Sequence, residues 1–423
     1  MTGSGSGSPS RVLRLPKILL LIVLTTLVLV AELPQGGGWI LRPTVLTLAL
    51  PGILLIRLAS RPKRVELFLE ALLAATIFSV SVSACRSGFE ALLCGGASLG
   101  IASLLGLGIR GTAGTGRPGS GYAFASAAIL CTFSLAVGFF FQATVNLAPK
   151  TFDTYLYAFD YTFGSPSFLM GRLFERFPLL ELSSSAGYYS LPFVLAAFCA
   201  LQLANPKLRS SNVMVEFAVA AAIGWMLYFV YPAVGPICAF PGAYPASPPL
   251  LSSIRIDFFR PLSDTPRNCM PSLHTAWALL VVWNSRPFGF WVRLLANAFL
   301  LLTLLATLGL GEHYLVDLVV ALPFALGIRA VCATHLPRPQ RERLAAAAVG
   351  FVLTAGWILG LRQRAFVTQI PALASYALVA FTAGVCLPFE RRLDASIRTT
   401  STAPCRVPGI ATETKNPEGF SLQ

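Results

Sequence analysis

Charge is scarce in this chain: Asp, Glu, Lys and Arg make up 12% of its 423 residues, while 55% are hydrophobic. With a mean hydropathy of +0.70, that balance excludes a soluble enzyme and implies a polytopic membrane protein. Histidine is scarcer still, at three residues, so a His-rich metal centre is excluded. An internal repeat is also lacking, as are paired broken helices in corresponding positions of two halves. Both absences weigh against a transporter, although many helices are transporter-like. Acidic residues are few, 18 against 32 basic ones, leaving a net charge of +14.

Apolar runs long enough to cross a hydrocarbon layer of about 30 Å recur throughout. They fall at 16–33, 39–58, 65–85, 90–109, 121–146, 188–204, 213–232, 272–285, 289–310, 313–334, 344–361 and 367–388. Backbone polar groups in lipid must pair within their own segment, so each run is predicted to be a helix. The fold class expected is all-α integral membrane, with about 12 transmembrane helices. The first run has a basic start and an apolar core like a signal peptide, but Ala31-Glu32-Leu33 is a poor cleavage site, and a retained helix is expected.

The basic residues cluster between alternate runs: Arg11, Arg14 and Lys17; Arg57, Arg61, Lys63 and Arg64; Arg110 and Arg117; Lys207 and Arg209; Arg286 and Arg293; Arg329, Arg338, Arg341 and Arg343. By the positive-inside rule those segments are cytoplasmic, with both termini inside. The positive charge is thus an orientation signal, and no nucleic-acid partner is implied. The Gly106, Gly108 and Gly111 pattern follows a membrane run rather than a strand, and reads as a flexible connector. Two outer segments are long, at about 147–187 and 233–271. Cys238 and Cys269 share the second, where oxidation to a disulfide is open. Cys94, Cys131, Cys199, Cys332 and Cys386 lie in apolar runs and read as packing residues.

Two of the three histidines fall at the same outer face. His274 closes Pro271-Ser272-Leu273-His274, and His313 opens a run in which Asp317 follows four residues later. Ionisable residues at membrane depth are costly and mark functional sites. On a helix, Asp317 lies one turn below His313 on the same face. There it can hold one ring nitrogen, free the other, and stabilise the imidazolium that forms in catalysis. An oriented imidazole is a nucleophile toward phosphorus, and a second histidine can protonate the leaving alkoxide. Arg267, seven residues before His274, can bind phosphoryl oxygens, with Ser272 beside it. Arg255 and Arg260 are weaker candidates, and His335, among Arg and Pro at an inner helix end, is read as interfacial. No further His or Cys converges in sequence on the His313–Asp317 pair, so neither a metal nor another cofactor is expected.

Pro-Ser-Leu-His followed 39 residues later by His313-Tyr314-x-x-Asp317 resembles the phosphatidic acid phosphatase type 2 superfamily, in its inositol phosphorylceramide synthase-like branch. Asp153, Asp160 and the Tyr231-Pro232-Ala233-Val234-Gly235-Pro236 run also look like that branch. The resemblance implies a catalytic six-helix core, placed here at 121–336 and half of the chain. Around it the expected organisation is a disordered start at 1–15, a four-helix region at 16–120, two helices at 337–390 and a cytoplasmic tail at 391–423. It further implies a phosphohistidine-type mechanism, with His313 as nucleophile, Asp317 its partner and His274 the proton donor. The chain departs from the phosphatase members in three places. It lacks their Lys-x6-Arg-Pro run, has Leu273 where they have Gly, and has Ala306-Thr307 where they have Ser-Arg.

These departures favour headgroup transfer between membrane lipids at the outer leaflet; the alternative is hydrolysis of a lipid phosphate or isoprenyl pyrophosphate. A non-catalytic transporter or lipid-binding protein is the reading of a different class, since fold does not fix function. Short extramembrane loops point to a bacterial inner membrane. The lipid, its acceptor and the oligomeric state are not specified by sequence.

Overall fold

The structure, a computed structural model, describes residues 44–85, 87–112, 120–208, 211–261, 265–333 and 341–402. The expected helix at 16–33, His335 and the chain after 402 lie outside the described residues. The described residues are helical, with no strand; one isolated antiparallel bridge joins Thr151 to Phe259. The helices are α1 (Thr44–Ala59), α2 (Arg64–Ser81), α3 (Gly88–Thr112), α4 (Ser120–Leu147), α5 (Asp153–Tyr161), α6 (Pro166–Arg176), α7 (Pro178–Tyr189) and α8 (Leu191–Ala204). They continue as α9 (Val213–Val230), α10 (Pro236–Ala239), α11 (Leu273–Ser285), α12 (Phe290–Gly309), α13 (Leu315–Cys332), α14 (Arg341–Leu361), α15 (Arg364–Gln369) and α16 (Ala372–Thr402).

Seven of these are long and apolar enough to cross a membrane, or eight if α7 and α8, bent by 56° at Ser190, count as one. The described residues therefore do not confirm the expectation of 12, of which the run at 16–33 lies outside them. The differences have local causes. Helix α11 has 13 residues, about 20 Å of rise, well short of the hydrocarbon thickness. The long outer segment at 147–187 is not a loop: it folds into α5, α6 and most of α7. Pro166 and Pro178 stand at the first turns of α6 and α7, where a missing N–H costs nothing.

Helices pack closely where side chains are small, the general means of association in lipid. Helices α13 and α14 meet at Gly327 and Gly350, where a Cβ on Gly350 would sit 2.7 Å from the Gly327 Cα. One apolar core joins α1, α4, α8, α9, α11, α12 and α13. A second, rich in aromatics, packs α5 onto the ends of α13 and α14, with Phe159 edge-on to Trp357 at 5.5 Å.

Buried charge fastens the opposite end of the bundle. Arg329, fully buried near the end of α13, binds Glu390 and, at 2.7 Å, Asp394 on α16. Arg286 reaches Glu390 at 2.6 Å, and Arg398 reaches Asp394 at 2.9 Å. These pairs hold α16 in register to Thr402, so the segment expected to begin a polar tail at 391 starts as ion-paired helix. Removing one partner of a buried pair leaves uncompensated charge, at about 3–5 kcal/mol. Arg329→Ala is therefore expected to lower the thermal unfolding midpoint of the purified protein sharply. A shift no larger than that of an exposed control such as Arg255→Ala would contradict this role.

Candidate functional site

The site forms where the turn between α12 and α13 meets the first turn of α11 and the inner face of α5. His313 lies in that turn, its N–H bonded to the Thr307 carbonyl at 3.2 Å and its carbonyl accepting from Ser167 Oγ at 2.8 Å. Asp317 is the third residue of α13. Its Oδ2 accepts the Tyr314 N–H at 2.8 Å, capping its own helix, and faces His313 Nδ1 at 3.3 Å. The expected pairing of His313 and Asp317 is present, and both residues are buried. Asp317 Oδ1, also buried, has no hydrogen-bond partner.

His274 stands in the first turn of α11. The two helices are tied directly, because Ser272 N–H donates to the Asp317 carbonyl at 3.2 Å. Ser272 caps α11, its Oγ accepting from Thr275 N–H at 3.4 Å and donating to Thr275 Oγ1 at 3.0 Å. The His274 ring stacks on Tyr188 at 3.9 Å, meets Trp277 edge-on at 5.7 Å, and is near enough to His313 for their charges to interact. Leu273, where phosphatase members have Gly, packs against Gly224 of α9, a small residue that makes room for it.

Asp153 and Asp160 are seven residues apart and so share one face of α5. Asp160 accepts from Leu315 N–H at 2.5 Å and Val316 N–H at 3.1 Å, taking two donors that the start of α13 leaves without helical partners. Asp153 accepts from Gly235 N–H at 2.9 Å, Val234 N–H at 3.1 Å and Tyr314 Oη at 3.1 Å. Burial pushes the Asp153 carboxyl up to about 6 against those hydrogen bonds. It pushes Asp160 well above the carboxylate range, and raises Glu312 against the opposing pull of His313. Asp153 and Asp160 are both buried, and charge interactions are strong in such a low-dielectric setting.

Arg267 is buried, and its backbone N–H donates to Thr144 Oγ1 at 3.0 Å. Its guanidinium donates to the Ala148 carbonyl at 3.1 Å and to the Thr265 carbonyl. Arg255 and Arg260 are exposed, with Arg255 paired to Asp257 at 3.4 Å, and the structure does not bring them to the histidines. No disulfide joins Cys238 to Cys269, so the bond left open by sequence is not formed. Cys269 instead turns inward, its Sγ bonded to the Glu312 carbonyl at 2.9 Å. Its sulfur, a His313 ring nitrogen and an Asp317 oxygen all lie within 4.8 Å of one another. Sequence reasoning missed this convergence because Cys269 is remote in the chain from the histidine run. An apolar cavity of about 300 Å³ opens between α12, α13 and α16, bordered at one end by Leu308 and Leu315.

A family model described as the PAP2 superfamily matches residues 154–331, a stretch that contains His274, His313 and Asp317. No curated protein and no solved structure matches the chain. Members of that superfamily are phosphatases and phosphotransferases, and the match suggests a lipid phosphatase or phosphotransferase in a multi-pass, all-helical membrane protein.

Gly235 carries the closest backbone approach at the site. At φ +84° a Cβ there would strike the Glu312 carbonyl and lie 2.7 Å from that of Gly311. Gly242 has nearly the same φ, +83°, with nothing within 4 Å. Gly235, at ψ 161°, also lies in a backbone region that is essentially glycine-only, so its Ala variant carries strain of about 1–3 kcal/mol besides the clash. Gly235→Ala is expected to lose clearly more stability than Gly242→Ala in thermal unfolding; equal losses would show that the approach to Glu312 is slack.

Proposed function

We propose that the protein is a membrane lipid phosphotransferase that moves a phosphate-bearing headgroup from one lipid to another through a phosphohistidine-type adduct on His313. The observation that carries this reading is the His313–Asp317 pair at 3.3 Å, tied to the His274 helix by the Ser272–Asp317 backbone bond. With Nδ1 held by Asp317, the other ring nitrogen is the attacking atom. It forms a bond to phosphorus as the ester P–O bond to the donor lipid breaks, and His274 gives its proton to the departing alkoxide. In the second half, His274 takes the proton of the incoming hydroxyl, whose oxygen attacks phosphorus and frees His313. Arg267 is the cation assigned to the phosphoryl oxygens, with Ser272 at the head of α11; a guanidinium anchored on two carbonyls is well placed to be rigid. The apolar cavity bordered by Leu308 and Leu315 suits the lipid's hydrocarbon. The site faces the outer leaflet, and no resident cofactor is required.

Transfer and hydrolysis share the first half-reaction and differ in the acceptor alone. A site closed to solvent favours a lipid hydroxyl over water, and His313 and Asp317 are both buried. The test is to incubate purified protein with a panel of phosphate-labelled lipids in liposomes, beside His313→Ala, and follow the label. Label on a second lipid is expected, with turnover reduced at least about a thousandfold in the variant. Label released as free phosphate would make the protein a hydrolase, and turnover retained by His313→Ala would overturn the nucleophile.

A further inference from the structure

We propose that Cys269, His313 and Asp317 form a binding site for one thiophilic divalent cation, zinc by its chemistry, and that this cation disables His313 as a nucleophile. The binding part stands on the cluster itself; the inhibition rests on the function proposed above.

The donor set is one thiol, one imidazole and one carboxylate, all on buried residues whose donor atoms lie within 4.8 Å of one another. A tetrahedral zinc with ligand bonds of about 2.0–2.3 Å places its donors about 3.5 Å apart. The His313–Asp317 pair already stands at 3.3 Å, so closure requires Cys269 to move by about 1 Å. Such three-ligand sites keep a fourth position open for a small molecule.

Two features make the cluster suited to a cation rather than simply crowded. Asp317 Oδ1 is buried and accepts no N–H or O–H, so the carboxylate keeps an oxygen to offer a cation beside the Cys269 thiol. A thiolate and a carboxylate together carry two negative charges, so a divalent ion leaves no net charge in a dry interior. Binding releases the thiol proton that Sγ now gives to the Glu312 carbonyl. Thiolate ligation selects zinc over magnesium or calcium, which require oxygen cages.

The consequence is inhibition. A metal on Nδ1 replaces the Asp317 contact that orients the ring and draws electron density from the nitrogen left to attack phosphorus, so His313 becomes a poor nucleophile. Magnesium should leave turnover unaffected, zinc should suppress it, and a chelator should restore it.

The experiment is calorimetric titration of zinc into the purified full-length protein after dialysis against chelator, with Cys269→Ser and, as a distant control, Cys332→Ser. One zinc per chain is expected, with binding weakened at least about a hundredfold in Cys269→Ser and unchanged in Cys332→Ser. If Cys269→Ser does not fold, cobalt added to the unaltered protein gives the second readout. A sulfur-to-cobalt charge-transfer band supports the site, and its absence overturns it. Zinc that binds Cys269→Ser as tightly as the parent also overturns it. Zinc bound by a protein with no lipid turnover would leave the metal site standing and the proposed function refuted; turnover without zinc binding would do the reverse.

Discussion

The first turn of α13 presents the N–H groups of Tyr314, Leu315 and Val316, which no carbonyl within the helix can accept. Two buried carboxylates accept them: Asp317 from the helix itself and Asp160 from α5. Carboxyl oxygens at a helix N-terminus are favoured because they take up N–H groups that the helix leaves unpaired. From this one junction the rest of the site follows. Asp317, held by the Tyr314 N–H, is aimed at His313. Asp153, two turns from Asp160, grips the Tyr314 hydroxyl and the Val234–Gly235 backbone, so α5, the 231–236 run and α13 become one unit. The short α11 then joins through Ser272, bringing His274 with it.

The other end of the same helix is held by charge as well, but of opposite sign. Arg329 is buried against Glu390 and Asp394, and Arg286 braces those acids from the end of α11. Helices α11 and α13, which carry His274 and Asp317, are therefore pinned at both ends. Elsewhere Arg57 with Glu66, at 2.8 Å, and Arg110 with Glu66, at 3.0 Å, link α1, α2 and α3 in the same manner.

Part of this was legible before the structure. The His313–Asp317 contact was expected from one turn of helix, yet His313 lies in the turn ahead of α13 and meets Asp317 at the helix cap; the long apolar runs at 121–146, 213–232, 289–310 and 313–334 emerge as α4, α9, α12 and α13. What escaped reading depends on tertiary placement or on short elements. Helix α5 has nine residues, too few and too mixed for hydropathy to register. Its signal was the seven-residue spacing of Asp153 and Asp160, a same-face pair that resemblance, and not periodicity, brought to notice. Cys269 was weighed only against Cys238, because both lie in one loop; the turn that carries it to His313 includes Cys269 N–H bonded to the Ala233 carbonyl at 3.3 Å. The run at 272–285 was read as a full span, but its 14 residues are too few to cross a membrane as a helix, and the helix formed has 13.

The central claim is that His313 is covalently phosphorylated during turnover. The most direct measurement is to mix the protein briefly with substrate lipid, quench in alkali, where phosphohistidine survives, and locate the added mass by peptide mass spectrometry. The account predicts an adduct on His313 that forms within one turnover and disappears when acceptor is supplied. An adduct on another residue, or steady turnover with His313 never modified, would contradict it.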